Sequence, residues 1–162
     1  MQTVDLKRMP PAPLTPVPLI KTEVDLSNPV IVGIQKVFEL DPARFFYLAT
    51  PFSGYVHGHI RAAEHAAQVA GALVEHTEVN IFSPIAHGHM LRAHMTPRPH
   101  AWWMGVDRPY MDAALGLIVA KLPGWDRSDG VQTEMMYFAQ HLKPVFVVHV
   151  EMRDDGEIVR LG

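Results

Sequence analysis

The sequence predicts a three-layer α/β fold built on a small, doubly wound parallel sheet. Short apolar runs with little alternation recur along the chain, which is typical of strands covered on both faces. Stretches of helical periodicity separate these runs, and strands joined through helices pair in parallel through right-handed crossovers. This is the arrangement of Rossmann-like and flavodoxin-like sheets, in which ligands bind at the carboxyl ends of the strands where the winding reverses.

The composition excludes several classes of protein. The chain has 162 residues, 48% hydrophobic and 19% charged, which suits one domain with its own core. Its formal net charge of −3 argues against a nucleic-acid polymer as a partner. The absence of cysteine excludes disulfide scaffolds, thiolate metal sites and cysteine catalysis. Because no apolar run reaches the roughly 18 residues that span a bilayer and no signal-peptide pattern is visible, we expect a cytoplasmic protein without a membrane partner.

Residues 1–44 are predicted to form a proline-rich extension ahead of a domain at residues 45–162. Five prolines between Pro10 and Pro18 exclude a helix or a central strand there. We therefore expect residues 1–28 to form an extended arm that lies on the domain or on a partner subunit. The run Pro29–Leu40 is apolar enough to pack, but its pattern leaves helix and strand open.

The first half of the domain reads as strand, helix, strand and loop. Phe45–Ala49 predicts a buried strand that ends in a Thr-Pro-Phe-Ser-Gly turn. Val79–Phe82 predicts a second short strand, followed by a loop rich in histidine and proline from Ala86 to His100. The helix between the two strands is expected to pack on the sheet through residues spaced by three and four, namely Ile60, Ala63, Ala67, Ala70 and Val74.

The second half repeats this alternation. Trp102–Ala114 is predicted to be mostly helical, started or broken by its proline, and Leu117–Leu122 reads as the third strand. Gly130–Leu142 is predicted as a helix and Pro144–Val150 as the fourth strand. The tail from Glu151 can add a short edge strand around an Asp-Gly turn.

The loop that leads into the last helix is a candidate anion site. Ser128 is a good helix N-cap, and Gly130 allows a ligand to approach the backbone closely. A helix amino terminus offers unpaired N–H groups and partial positive charge to a phosphate or carboxylate. Many α/β proteins have such a turn for structural reasons alone, so the pattern by itself leaves both interpretations open.

Two acidic residues beside apolar neighbours are candidates for chemistry. Glu134 lies on the flank of the predicted buried stripe of its helix, formed by Val131, Met135, Phe138 and Leu142. An acid there is costly to desolvate unless it is paired or faces a cleft, so Glu134 is either a carboxylate at the domain edge or a nucleophile in a pocket. Asp107 also has two possible interpretations: it is either a helix cap or a second acidic residue of the site.

The histidines admit a metal-site hypothesis. His87, His89, His94 and His100 supply enough imidazoles for a zinc-like centre, although no carboxylate lies among them. His57, His59, His65 and His76 read as solvated helix residues. The large apolar residues Trp102, Trp103 and Trp125 are predicted as anchors, with Trp125 also placed to line a pocket.

Four segments resemble, in order and spacing, the nucleoside 2-deoxyribosyltransferase-like superfamily, and within it a small bacterial and phage branch. The resemblance extends from about Phe45 to Val148. It implies the α/β fold, no cofactor, and either base exchange between deoxynucleosides or cleavage of nucleoside 5′-monophosphates. It also implies a homodimer or higher homo-oligomer, because these enzymes commonly build each pocket from two subunits. The segments are YLATPFS (Tyr47–Ser53), IFSPIAHGH (Ile81–His89), WWMGVD (Trp102–Asp107) and LPGWDRSDGVQTE (Leu122–Glu134).

The same resemblance implies roles for individual residues. Glu134, in a Ser-x-Gly-Val-x-x-Glu motif, matches the glutamate that attacks the anomeric carbon. Tyr47 matches an active-site tyrosine, and Asp107 an aspartate that positions the sugar or the base. The expected substrate-binding residues are Thr50, Pro51, Phe52, Ser53, Ser83, His87, His89, Trp125, Ser128 and Gly130, of which Ser128 and Gly130 match contacts to a 5′-phosphate.

The chain departs from the superfamily pattern at two positions. Leu115 stands where relatives often carry an aspartate, which weakens any transfer of base-recognition roles. Ser53 stands where some monophosphate hydrolases carry an arginine, which weakens the case for a phosphorylated substrate. The sequence therefore predicts an N-glycosidase or deoxyribosyltransferase that acts on a nucleoside or nucleotide. A non-catalytic nucleotide-binding or sensing module and a metal-dependent hydrolase are the alternatives.

Overall fold

A computed structural model describes residues 22–162, so residues 1–21 of the arm predicted at residues 1–28 lie outside the described residues. Within this range no helix is long and apolar enough to cross a bilayer. The strands are β1 (Glu23–Val24), β2 (Phe46–Ala49), β3 (Ile81–Phe82), β4 (Leu117–Ala120), β5 (Val145–Val148), β6 (Val150–Met152) and β7 (Ile158–Leu161). The α-helices are α1 (Pro29–Leu40), α2 (Gly58–Thr77), α3 (Pro84–Arg92), α4 (His100–Ala113) and α5 (Asp129–Gln140), with a short 3₁₀ turn at Trp125–Arg127.

The main sheet is parallel, with strand order β3-β2-β4-β5, and it confirms the predicted α/β fold. The chain moves from β2 outward to β3, then returns across β2 to β4 and continues to β5. The winding therefore reverses between β2 and β4, and the loops after these strands leave in opposite directions. A doubly wound sheet opens its ligand cleft at this point.

The sheet separates two apolar layers, because successive strand residues face opposite sides. On one side, Phe46 and Leu48 of β2 join a core shared with α1 and α2. On the other side, Tyr47 of β2 joins a core with Met111 of α4 and Phe138 of α5. Every residue of β2 and β4 is buried, which explains why these runs show no polar alternation in the sequence.

The chain ends form a second, three-stranded sheet with order β1-β7-β6. The tail makes a hairpin of β6 and β7 around the predicted turn, where Gly156 has φ +85°. β1 then pairs with β7 in parallel. The tail thus contributes two strands to a separate sheet, rather than the one short edge strand predicted.

Residues 22–44, predicted as the end of an extension, pack into the domain. The run left open between helix and strand is the helix α1: the Asn28 side chain accepts a hydrogen bond from the Val30 backbone N–H at 2.8 Å, and Pro29 occupies the first turn. Ile31 and Ile34 of this helix are buried in the core. Beyond Pro18 no further proline interrupts the chain before Pro29, and Pro29 itself favours a helix start.

Helix α2 packs through a different face from the one predicted. Ile60 is 65% exposed and Val74 is 45% exposed. His65, predicted to be solvated, is 1% exposed, and its Nδ1 lies 2.8 Å from the Tyr55 hydroxyl. The helix is rich in alanine, so neighbouring faces have nearly the same periodicity in the sequence. The buried face consists of Ala62, Ala63, His65, Ala66, Val69, Ala72, Leu73 and Thr77.

Two further boundaries differ from prediction. The first half of the predicted loop from Ala86 to His100 is helix α3, whose N-cap Ser83 accepts a hydrogen bond from the Ala86 backbone N–H. Leu142 is 94% exposed with φ +55°, because α5 ends before it and the chain turns toward β5. Leu142 therefore does not belong to the buried stripe of α5.

Replacing Gly116 by alanine is expected to destabilise the sheet by about 2 kcal/mol, because a Cβ at this position meets backbone and cannot be relieved by a side-chain rotation. An added Cβ lies 2.6 Å from the Pro144 carbonyl oxygen and 3.1 Å from the Phe46 ring. Gly71→Ala is the matched control, since nothing lies within 4 Å of a Cβ there and alanine favours the helix. Urea unfolding measures both changes, and equal midpoints for the two variants would contradict the prediction.

Candidate functional site

A cleft of about 460 Å³ opens at the carboxyl end of the main sheet, where the winding reverses. Its walls come from the segment after β2, from α3, from α4 and from the start of α5. The fold rule applied to the sequence placed a site at this edge. The lining residues include Thr50, Phe52, Ser53, Gly88, His89, Arg92, Arg98, His100, Trp103, Met104, Asp107, Arg127, Ser128, Asp129, Gly130 and Glu134.

Glu134 and Tyr47 form a buried pair at the base of the cleft. The Tyr47 hydroxyl donates a hydrogen bond to Glu134 Oε1 at 2.8 Å. Tyr47 lies on β2 and packs between the rings of Phe82 and Phe138, which fixes the direction of its hydroxyl. Glu134 lies in the second turn of α5 and is 7% exposed. The hydrogen bond to Oε1 leaves Oε2 available to a ligand.

The N-cap of α5 sets the position of Glu134. The Ser128 hydroxyl accepts a hydrogen bond from the Val131 backbone N–H at 3.5 Å, and Val131 is buried against the sheet. This cap defines where the helix begins, and the buried valine fixes its rotation about the axis. Glu134 follows Val131 by three residues and therefore lies on nearly the same face of the helix.

Glu134 and Asp107, two of the acidic residues that line the cleft, differ in pKa. Burial raises the pKa of Glu134 to about 8; the hydrogen bond from Tyr47 opposes this shift and the nearby Asp107 adds to it. Burial also raises the pKa of Asp107 to about 6, while His87 and His100 act in the opposite direction. Two carboxyl groups with separated pKa values in one cleft are typical of acid–base or nucleophilic chemistry.

Tyr47 remains a hydrogen-bond donor at any ordinary pH. Burial raises the pKa of its hydroxyl far above the usual value, and the negative charge of Glu134 raises it further. A neutral tyrosine beside a carboxylate stabilises the ionised carboxylate without removing its nucleophilic character.

Two buried polar atoms of cleft-lining residues have no hydrogen-bond partner within the described part of the chain: Thr50 Oγ1 and Trp103 Nε1. An unpaired buried polar atom costs about 1–3 kcal/mol, so native structures rarely keep one without a reason. Both atoms are suited to bind a polar ligand group that reaches the cleft wall.

The structure brings most of the predicted site residues to the cleft, and separates others from it. Tyr47 donates a hydrogen bond to Glu134 and Ser83 caps α3, but neither residue lines the cleft itself. His87 packs against Phe82 and Tyr110. Pro51 is buried and Trp125 packs with Lys121; neither is among the cleft-lining residues. The predicted residues that line the cleft are Thr50, Phe52, Ser53, His89, Asp107, Ser128, Gly130 and Glu134.

Three cleft arginines were not found by sequence reasoning: Arg92, Arg98 and Arg127. The signal for Arg92 lay in the helix start at Ser83 and Pro84, which is a cap followed by proline. With α3 recognised, Arg92 falls one turn after Gly88 and His89 and therefore on the same side of the helix.

The histidines proposed as metal ligands do not assemble into a metal centre in the structure. Among residues 22–162, no group of three or more histidine, aspartate or glutamate side chains is arranged to hold a metal ion. His89 and His100 line the cleft, whereas His87 packs against Phe82 and His94 is exposed.

The fold and the cleft define an α/β domain with a doubly wound parallel sheet and a ligand cleft at its switch point. The chain belongs to the family described as a domain of unknown function, DUF1937, whose sequence model matches residues 44–150. That match contains the whole main sheet and the lining of the cleft, while β1, α1 and β7 lie outside it. A search of curated proteins found none that matches the chain.

Proposed function

We propose that this protein cleaves or transfers the N-glycosidic bond of a nucleoside or nucleoside 5′-monophosphate, with Glu134 as the nucleophile. The observation that carries the proposal is the buried Tyr47–Glu134 hydrogen bond beside a second cleft carboxyl group, Asp107. The resemblance of four sequence segments to deoxyribosyltransferases and monophosphate N-glycosidases supports the same chemistry.

The first step is displacement of the base. Glu134 Oε2 attacks C1′ of the sugar, the C1′–N bond breaks, and its electron pair leaves with the base. The product is a glycosyl ester of Glu134, formed through an oxocarbenium-like transition state that the carboxylate charge stabilises. Tyr47 holds Oε1 and so orients the attacking oxygen.

Asp107 is the proton donor to the departing base. It lines the same cleft as Glu134, and its raised pKa, about 6, keeps part of the population protonated near neutral pH. In the second step water attacks C1′, the ester bond to Glu134 breaks, and the deprotonated Asp107 takes the proton from the water; the free sugar is released, which makes the protein a hydrolase. A free base in place of water makes it a transferase.

The remaining cleft groups fit a sugar and its substituents. Thr50 Oγ1 is an unpartnered hydroxyl for a sugar oxygen, and Phe52 offers an apolar wall. Ser128 and Gly130 lie at the amino terminus of α5, which favours an anion. The resemblance further supports a homodimer or higher homo-oligomer that needs no cofactor, and the sequence composition supports a cytoplasmic location.

A substrate panel tests the proposal. The full chain is incubated with ribo- and deoxynucleosides and their 5′-monophosphates, with and without a second free base, and free and exchanged bases are separated by chromatography. We expect base release or exchange with at least one substrate. Intact mass spectrometry with a slowly hydrolysed 2′-fluoro sugar analogue is expected to show one glycosyl adduct on Glu134. If no substrate of the panel shows base release or exchange, the proposal is contradicted.

One observation favours a second candidate, a nucleotide-binding or sensing module without turnover. With a pKa of about 8, Glu134 is largely protonated near pH 7 in the free protein, which weakens it as a nucleophile there. Tight binding of a nucleoside or nucleotide that is recovered unchanged selects this candidate over the enzyme.

A further inference from the structure

We propose that Arg92 and Arg98 form an anion-binding subsite of the cleft that takes a phosphate group of the ligand, separately from the amino terminus of α5. Both side chains line the cleft. The inference deepens the proposed function, on which it rests, because it makes a phosphate part of the ligand. We call Arg92 and Arg98 the arginine subsite.

Arg92 is held in place by aromatic rings. Its guanidinium carbon lies 4.6 Å from the centroid of the Phe52 ring and 5.1 Å from that of Trp103. Stacking of this kind restrains the planar guanidinium while its N–H groups remain available at the edge. A fork of donors fixed in this way is suited to bidentate binding of a phosphate.

Arg98 adds a second cation of the same kind. Its guanidinium carbon lies 5.5 Å from the centroid of the Trp102 ring, on the amino-terminal turn of α4. The adjacent Trp103 carries a buried indole N–H that has no partner among the described residues. The cleft-lining residues Arg92, Arg98 and Trp103 therefore come from α3, from the segment after it and from α4.

No acidic side chain neutralises the arginine subsite within residues 22–162. The ion pairs of this part of the chain involve Arg44, Arg61, Arg108 and Arg160. Neither Arg92 nor Arg98 forms an ion pair or a side-chain hydrogen bond there. Both guanidinium groups are therefore free to bind an anion in the cleft.

The start of α5 is less favourable for a phosphate. At the start of α5, Arg127 is accompanied by Asp129, whose carboxylate also lines the cleft. A carboxylate repels a phosphate dianion and offsets the attraction of one arginine and of the helix terminus. On the α3 side no acidic side chain of residues 22–162 forms an ion pair with Arg92 or Arg98, so that side is the more favourable one.

Two sources of phosphate fit this chemistry: the 5′-phosphate of a nucleoside monophosphate, or a second phosphate of a diphosphate-linked nucleotide. Isothermal titration of Glu134→Gln protein, in which turnover is blocked, distinguishes them. The probes are inorganic phosphate, a deoxynucleoside, its 5′-monophosphate and its 5′-diphosphate. The three nucleoside probes carry the base that the substrate panel shows to be released, or adenine if no base is released.

Arg92→Met in the Glu134→Gln background is expected to weaken binding of the phosphorylated ligand roughly tenfold to hundredfold and to leave nucleoside binding unchanged. Methionine keeps the apolar contacts with Phe52 and Trp103, and Arg98→Gln is the second variant. Arg108→Met is the matched control, since Arg108 pairs with Asp112 outside the cleft. An effect on the monophosphate identifies a 5′-phosphate, and an effect confined to the diphosphate identifies a second phosphate.

The inference is overturned if no phosphorylated probe binds, or if both arginine variants leave every affinity unchanged. It is also overturned if they weaken nucleoside and nucleotide binding equally in folded protein, as thermal melting verifies. Its failure differs from that of the proposed function. Arginine-dependent phosphate binding without base release rejects only the catalytic proposal, whereas base release from nucleosides and monophosphates at equal, arginine-independent rates rejects only the subsite.

Discussion

Glu134→Gln protein is expected to lose base release by about 10⁴-fold or more and, at the same time, to become more stable at alkaline pH. The amide has nearly the shape of the carboxylate, and its oxygen still accepts the hydrogen bond from Tyr47. It does not form a glycosyl ester with C1′, so the covalent step is lost. The substrate found in the panel and its chromatographic assay measure the first effect.

The gain in stability follows from the buried position of Glu134. Burial raises its pKa from 4.5 in the unfolded chain to about 8, so the folded protein binds this proton more tightly. Below about pH 4.5 both states are protonated, and the carboxyl group costs nothing extra. As the pH rises toward 8, the unfolded chain releases the proton first and the free energy of unfolding falls. Glutamine is not subject to this loss, which is on the order of 3 kcal/mol at pH 7.

Urea unfolding at about pH 4.5 and about pH 8 separates this effect from ordinary packing changes. The variant and the wild type are expected to have similar free energies of unfolding at the acidic pH, and the variant the higher one at the alkaline pH. Glu75→Gln on the exposed side of α2 is the control, for which no such divergence is expected. A stability difference that does not vary with pH would mean that Glu134 is not a desolvated acid.

The sheet and the catalytic carboxyl group of Glu134 could be predicted from the sequence because their signals are local. Strands such as β4 are short apolar runs buried on both faces, and a run of this length between two predicted helices is too short to be a further helix. Glu134 stood out because an acid on the flank of an apolar stripe is costly unless a cleft or a partner explains it. A role for Tyr47 is implied only by the resemblance, because a tyrosine in a buried strand is by itself an ordinary core residue.

The arginine side of the cleft, and Arg92 in particular, could not be predicted because its position depends on where α3 begins. Ser83 and Pro84 lie between the predicted strand Val79–Phe82 and the predicted loop, and the same pair also starts a helix, as an N-cap followed by proline. Without α3, Arg92 had no predictable direction, and its stacking on Phe52 and Trp103 joins three elements far apart in sequence. His65 was misjudged for a related reason: in an alanine-rich helix, packing against the sheet decides which face is buried.

The pH dependence of base release provides the second large effect, and Asp107 is expected to control its alkaline side. The reactive form needs Glu134 ionised, with a pKa of about 8, and Asp107 protonated, with a pKa of about 6. The product of these two fractions rises up to about pH 6, is level between 6 and 8, and falls above 8. Near pH 7 only a minority of the molecules have Glu134 ionised, and only a minority have Asp107 protonated. On the order of 1% of the protein is therefore reactive at that pH.

Asp107→Asn protein is expected to lose about 10²- to 10⁴-fold in kcat/KM at neutral pH and to change the shape of its profile. With no proton needed at position 107, activity follows the ionisation of Glu134 alone: it rises up to about pH 8 and then stays level. Measuring kcat/KM from about pH 5 to about pH 9.5 tests this, with Asp112→Asn on the exposed side of the same helix as the control. If Asp107→Asn protein still loses activity above pH 8, another group donates the proton and Asp107 serves only to position the sugar. If instead the alkaline limb disappears while the loss persists, the two carboxyl groups divide the reaction between nucleophile and acid, as their separate environments in the cleft require.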